Sequence, residues 1–271
     1  MLYGYHSLNV SEFCRAARAS SRVRFVLAVA FLVMAGAAAS AASRFWDGSS
    51  SGNWSLGANW VGNVAPVAGD DLVFQAGVTQ LLVTNDFSPN RAFSSILFQG
   101  SNYFVRGNPV LVANGISSIN PSGPNRIDAD VDVRASQAWE ATGPLAVLDI
   151  NGDISLNANT LTVRANTGDF FLSGIVSGAG NLVKTNVGTL RMDGAGHNTY
   201  SGFTRFDGGV LELDKFSIFP TFTNYTSIAG DLIVGDGNGL VGTDVLRLLS
   251  SDQIANTSEV TVKNSGLFDL K

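Results

Sequence analysis

Residues 175–213 consist of strand-sized pieces separated by glycine-containing turns, with no proline between 145 and 219 and no long connection. No other feature constrains the fold as tightly. Parallel strands ordinarily need a crossover of about a dozen residues or more, and none is left over here. The pattern closes if each piece is one side of a coil that supplies its own crossover through its other sides. Each strand then pairs with its counterpart one coil away, at a spacing of about 4.8 Å. The expected fold class is all-β: a right-handed parallel β-helix (β-solenoid).

Period-two alternation supports this along the rest of the chain. Residues 127–134 place Ile127, Ala129, Val131 and Val133 on one face and Asp128, Asp130, Asp132 and Arg134 on the other, so they are expected to form one strand. Similar segments are 161–163, 189–192, 209–213, 231–234 and 259–262. Weaker strands are expected at 95–98 and 110–112, and a Pro/Gly-rich turn at 120–124. The chain is 45% apolar and 10% aromatic, which excludes the disorder that 14% charge would otherwise suggest.

The N-terminus has the three parts of a secretory signal. Arg15, Arg18, Arg22 and Arg24 form a basic region, residues 25–35 an apolar run, and 36–42 a small-residue stretch allowing cleavage after Ala41 or Ala42. The run is short for a permanent span, which needs about 20 apolar residues. Cys14, the single cysteine, precedes the run, so the exported part is expected to carry no disulfide and no thiolate. Without residues 1–42 the net charge moves from −5 to −8. Such a surface neutralises no phosphates, so nucleic-acid binding is not expected. Three segments follow: 1–42 as signal peptide, 43–92 as an aromatic, Gly-rich N-terminal cap or leader, and 93–271 as solenoid.

The stretch 174–213 reads GIVSGAGNLVKTNVGTLRMDGAGHNTYSGFTRFDGGVLEL. It resembles the passenger-associated transport repeat, also called the autotransporter-associated β-strand repeat. The matching positions are Gly178, Gly180, Leu182, Lys184, Gly188, Thr189, Leu190, Met192 and Gly194, then Asn198, Thr199, Tyr200, Gly202, Thr204, Gly209, Leu211 and Leu213. Asn186 stands where a glycine is usual, and Gly196-His197 lengthens one turn. Leu182, Leu190, Met192, Leu211 and Leu213 are spaced to point inward, the glycines fall where the chain turns between faces, and Asn198, Thr199 and Tyr200 suit a corner. The segment from Trp46 through Asn53-Trp54 and Asn59-Trp60 to Gly69-Asp70-Asp71 resembles the leader of such passengers, and 230–237 with 258–270 an inter-repeat segment. The resemblance implies an exported structural or adhesive passenger segment, at the cell surface, associated with the outer membrane, or extracellular. It also implies a C-terminal outer-membrane β-barrel translocator as partner, absent from this chain, and an extracellular glycan or surface ligand. Gly266 to Lys271 stops inside a rung, which predicts that the chain is a truncated solenoid.

Catalytic, metal and cofactor patterns are weak, and none is expected. Ser173, His197 and Asp207 are the residue types of a triad, but nothing brings them together in sequence. Asp128, Asp130 and Asp132 lack the Gly and Glu of an EF-hand, since Val133 and Trp139 occupy those positions. The glycines of 235–239 resemble a calcium-binding nonapeptide roll that would need tandem copies. Gly178-Ala179-Gly180 lacks the third glycine and helix of a dinucleotide site. Trp46, Trp54, Trp60 and Trp139 are expected to plug the solenoid; exposed, they would stack on sugars. A carbohydrate-binding or polysaccharide-degrading β-helix is therefore one alternative, and a soluble secreted scaffold without a translocator another.

Overall fold

The computed structural model describes residues 41–88, 91–217 and 222–270. Apart from Ala41 and Ala42, the expected signal peptide lies outside them. The fold is a parallel β-solenoid. Among the strands of the described residues the one antiparallel pair is Phe216–Ser217 with Thr223–Asn224. A sheet of thirteen strands and a sheet of nine alternate along the chain. Asn181–Thr185 belongs to the first and Thr189–Met192 to the second. Phe170 faces Leu190, and Leu190 faces Leu211, so a coil here takes about 21 residues. The nine-stranded sheet gains one strand per coil, which makes nine coils among the described residues. Val131–Val133, Ile154–Ser155 and Val176–Ser177 form a short ladder on the third side.

Residues 43–92 supply both an aromatic cluster and the first rungs. Ser43–Trp46 pairs in parallel with Asp71–Phe74, and Leu82–Asn85 starts the nine-stranded sheet. Trp46, Trp54 and Trp60 are fully buried. Trp46 meets Trp60 edge-on at 5.1 Å, and Trp54 lies 5.7 Å from Phe74. Trp60 donates its indole N–H to the Trp54 carbonyl at 2.8 Å, so a large apolar body fills this end with that polar atom satisfied.

The core consists of columns, because parallel register stacks like positions. In the nine-stranded sheet one inward column runs Val83, Val105, Ile127, Ile150, Leu172, Met192, Leu213. Each of these is fully buried, worth about 1.5–3 kcal/mol per side chain. The outward column of the same sheet starts with Leu82 and Phe104 and is mostly charged from there on: Arg126, Asp149, Phe171, Arg191, Glu212, Arg247, Asp269. Arg247 reaches Glu212 at 3.4 Å and Asp269 at 3.3 Å on its two sides.

Two sequence expectations are corrected. Residues 127–134 are not one strand: Ile127 ends Ser122–Ile127, and Val131 begins Val131–Val133 on another side. Buried and less buried residues still alternate throughout, because the chain turns a corner at 128–130 without losing its in–out phase. The turn expected at 120–124 is partly strand. Pro124 sits opposite Val147, and its carbonyl accepts from the Asn102 N–H, a position that asks nothing of the amide hydrogen proline lacks.

Asp70 clips the first coil together. Its carboxylate accepts from Ala42 N at 3.0 Å, Arg44 Nε at 2.7 Å and Val67 N at 3.0 Å. Burial pushes this carboxyl up, but the Val67, Arg44 and Ala42 hydrogen bonds outweigh it and hold it below the usual range. Its stabilising contribution is therefore present above the unfolded value of about 3.9 and lost as pH falls through the folded one. Asp70→Ala is expected to cost about 2–4 kcal/mol at neutral pH, because three donors lose their acceptor. Urea midpoints measured from pH 7 down to pH 3 should show the variant's deficit shrinking with acid.

The inward columns continue into the last described coil. Val260 and Val262 stack on Leu232 and Val234, and Leu270 on Leu248. Val260 is 41%, Val262 49% and Leu270 70% exposed, because no described coil covers them. An apolar face beside an unpaired strand edge invites self-association. Val260→Lys combined with Val262→Lys is expected to shift the protein toward monomer in light scattering. An unchanged mass distribution would remove this edge as the cause of any association.

Candidate functional site

The residues of the 174–213 stretch converge on the coil corners and on two inward columns. Three corners are lined by glycines that leave no room for a side chain. A Cβ on Gly180 would lie 2.0 Å from the Asn159 carbonyl oxygen, on Gly202 2.2 Å from that of Gly180, and on Gly230 2.0 Å from that of Gly202. A second column runs through Gly168, Gly188 and Gly209, and a third through Gly152 and Gly174. Gly178, Gly194 and Gly209 also take positive φ. Between the corners, Leu182 faces Thr204, Leu190 faces Leu211 and Met192 faces Leu213, all fully buried except Thr204 at 1%.

Lys184 occupies an inward position among apolar neighbours. Its column runs Ile116, Trp139, Val163, Lys184, Phe206, Val234. The side chain is fully buried. Nζ donates to the carbonyls of Asn186 at 2.7 Å, Gly208 at 2.7 Å and Thr185 at 3.1 Å, and lies 5.6 Å from the Phe206 ring centroid. One ammonium thus ties the corner of its own coil to that of the next. Burial lowers its pKa to about 7, with the Asp244 carboxylate pulling the other way. Lys215 is also fully buried and donates to the Gly174 carbonyl at 2.9 Å; burial lowers its pKa to about 8.

Asn198 bridges coils on the third side. Its Oδ1 accepts from Val176 N at 2.9 Å, and its Nδ2 donates to the Ser227 carbonyl at 2.7 Å. Tyr200 is 1% exposed, with its hydroxyl 2.5 Å from the Thr204 hydroxyl, and burial pushes its pKa to about 12. Thr199 is exposed, and its amide donates to the Val176 carbonyl. Asn186, in the usual glycine position, takes φ 68°, which asparagine tolerates.

The other candidates have separate partners. His197 accepts from the Thr226 amide and meets Tyr225 edge-on. Ser173 donates to Asp149 at 3.0 Å, and Asp207 pairs with Arg205 at 2.7 Å. Asp128 pairs with Arg126, Asp130 accepts from Asp153 N, and Asp132 accepts from Asn157 Nδ2. Among the described residues no group of His, Cys, Asp and Glu is placed to hold a metal ion. Trp139, like the other three tryptophans, is fully buried, and its indole N–H donates to Gln137 Oε1 at 3.0 Å.

Sequence reasoning missed one feature. A concavity of about 500 Å³ lies on the outer face of the nine-stranded sheet. Phe104, Arg126, Asp149 and Phe171 succeed one another across it, one per coil. Pro124 and Val147 lie beside them, with Ser173 and Asp193 at the far end. Arg126 lies 5.7 Å from the Phe104 ring centroid and 3.9 Å from the Asp149 carboxylate. Burial raises the Asp149 pKa, against the Ser173 hydrogen bond and the Arg126 charge, while the Asp193 charge adds to the rise. The available signal was the parallel register, which brings residues about 22 apart in sequence onto one line.

No protein-family model matches the chain, and no solved structure does. Over 64 residues, 23% of this chain, it is 39% identical to the adhesin BmaC autotransporter of Brucella suis biovar 1 (strain 1330). The chain spans about 2% of that protein's length, so the finding is a similarity, confined to part of the β-solenoid chain, to an autotransporter adhesin.

Proposed function

We propose that this chain is a segment of an exported autotransporter-type passenger: a non-enzymatic β-solenoid that serves as stalk or surface scaffold and carries one passenger-associated transport repeat at 174–213. The observation that carries the reading is the partial match to an autotransporter adhesin in a chain that folds as stacked parallel coils. Two features support the repeat assignment. Its glycines are those that the close stacking of coils demands, and its Lys184 and Asn198 each tie one coil to the next. Such a structure grows by adding coils, each templated by the last, and that growth suits a protein that folds as it emerges from an outer-membrane pore. The translocator would be a β-barrel partner outside this chain.

The test is to express the chain ahead of an outer-membrane β-barrel translocator in a Gram-negative host. Residues 1–41 or 1–42 should be removed, giving a mature N-terminus at Ala42 or Ser43 respectively. The solenoid should become accessible to added protease on intact cells. Retention inside the cell with an uncleaved N-terminus would reject the passenger reading.

A further inference from the structure

We propose that the concavity on the outer face of the nine-stranded sheet is a binding site for an uncharged oligosaccharide, held between the Phe104 and Phe171 rings. This goes beyond the passenger reading and does not depend on it.

The first argument is the break in the outward column. From Arg126 to Asp269 every member of that column is charged except Phe171. Charge there keeps a sheet face soluble and discourages lateral association. A half-buried phenyl ring in that position, flanked by the apolar surfaces of Pro124 and Val147, forfeits this protection. A ligand platform accounts for the exception.

The second argument is spacing. Phe104 and Phe171 lie three coils apart, about 14 Å at the usual strand separation. That is room for a short chain of sugar rings, whose C–H faces stack on aromatic rings.

The third argument is polarity. Between and beyond the rings lie the Arg126 guanidinium, the Asp149 and Asp193 carboxylates and the Ser173 hydroxyl. Arg126 stands 2.6 Å from Asp128 and 3.9 Å from Asp149, and Arg191 3.6 Å from Asp193, so the carboxylates already have cationic partners and leave little for a cationic ligand to gain. The two carboxylates repel an anion such as a uronate or a sulfated sugar. Interleaved donors and acceptors of both signs suit hydroxyl groups, which donate and accept. An extended peptide gains less, because Ser122–Ile127, Leu145–Ile150 and Asp169–Leu172 are each paired on both sides and offer no edge to extend.

The experiment is calorimetric titration of the full-length chain with cellohexaose, xylohexaose, mannohexaose and N-acetylchitohexaose. Hexagalacturonate is the anionic control and a glucosamine hexamer the cationic one. At least one neutral hexamer should bind, with about tenfold preference over both charged controls. Phe171→Ala should weaken it about tenfold. Phe171→Leu keeps the apolar bulk on the face but removes the ring, and should weaken binding in the same direction even if the alanine variant fails to fold. Phe171→Tyr should bind as the parent does. The proposal is overturned if no neutral hexamer binds, if a charged control binds as tightly or more tightly, or if Phe171→Leu binds undiminished.

Discussion

Lys184→Ala is expected to destabilise the solenoid by about 3–5 kcal/mol, with Lys184→Met costing less, about 1–3 kcal/mol. The alanine removes a fully buried side chain from the column between Val163 and Phe206 and leaves a cavity there. It also leaves the Thr185, Asn186 and Gly208 carbonyls without their donor. Methionine restores most of the volume and loses only the donor, so the difference between the two variants separates packing from the ammonium bonds. Urea unfolding at pH 7 measures both, and equal losses would mean that side-chain bulk contributes nothing and the lost ammonium bonds account for the whole effect. The pH dependence has a fixed sign. The Lys184 pKa is about 7 in the fold and about 10.4 in the unfolded chain. Between these values the unfolded state holds a proton that the folded state has released. Stability should therefore rise with pH across that window, and it should rise less in Lys184→Met, where Lys215 alone, at about 8, supplies such a dependence.

The sequence shows why a lysine can stand there and also why its role was hard to see. In 181–185 alternation assigns position 184 to the inside with Leu182, yet a lysine in such a place reads as an edge or surface residue. What rescues it is the corner that follows: three carbonyls lie within reach of Nζ, two of its own coil and one of the next. That set exists only once the coils are stacked, so no local pattern announces it. The strands themselves were legible. At 189–192 and 232–234 alternation and observed burial agree, because both faces of each strand have fixed surroundings. Alternation failed at 127–134, where it runs unbroken round a corner and cannot distinguish one strand from two. The concavity was invisible for a different reason: Phe104, Arg126, Asp149 and Phe171 belong to four coils, and only the register aligns them.

The repeat's glycines carry the second large expectation. Read from sequence they are turn residues, a place where glycine ordinarily serves by taking positive φ. In the structure Gly180, Gly188 and Gly202 have no such φ, and what they lack is space. Gly202→Ala would place a Cβ 2.2 Å from the Gly180 carbonyl oxygen and 2.4 Å from Asn181 Oδ1. The amide of Asn181 can swing away, but the carbonyl belongs to the neighbouring coil and moves only if two coils separate locally. The cost should reach about 3 kcal/mol or more, at the upper end for overpacking. Gly69→Ala is the contrasting case. Gly69 has φ +87° but nothing within 4 Å of its Cβ position, so the loss should be about 1 kcal/mol, from backbone strain alone. Thermal or urea unfolding of the two variants side by side decides between the explanations. If Gly202→Ala costs no more than Gly69→Ala, the corner accommodates a Cβ and the close approach of the coils is not what excludes a side chain there. If Gly202→Ala is far worse, coil-to-coil contact at the corners is what excludes any side chain. Gly180→Ala should then be as damaging, since its Cβ would lie 2.0 Å from the Asn159 carbonyl oxygen in the same column.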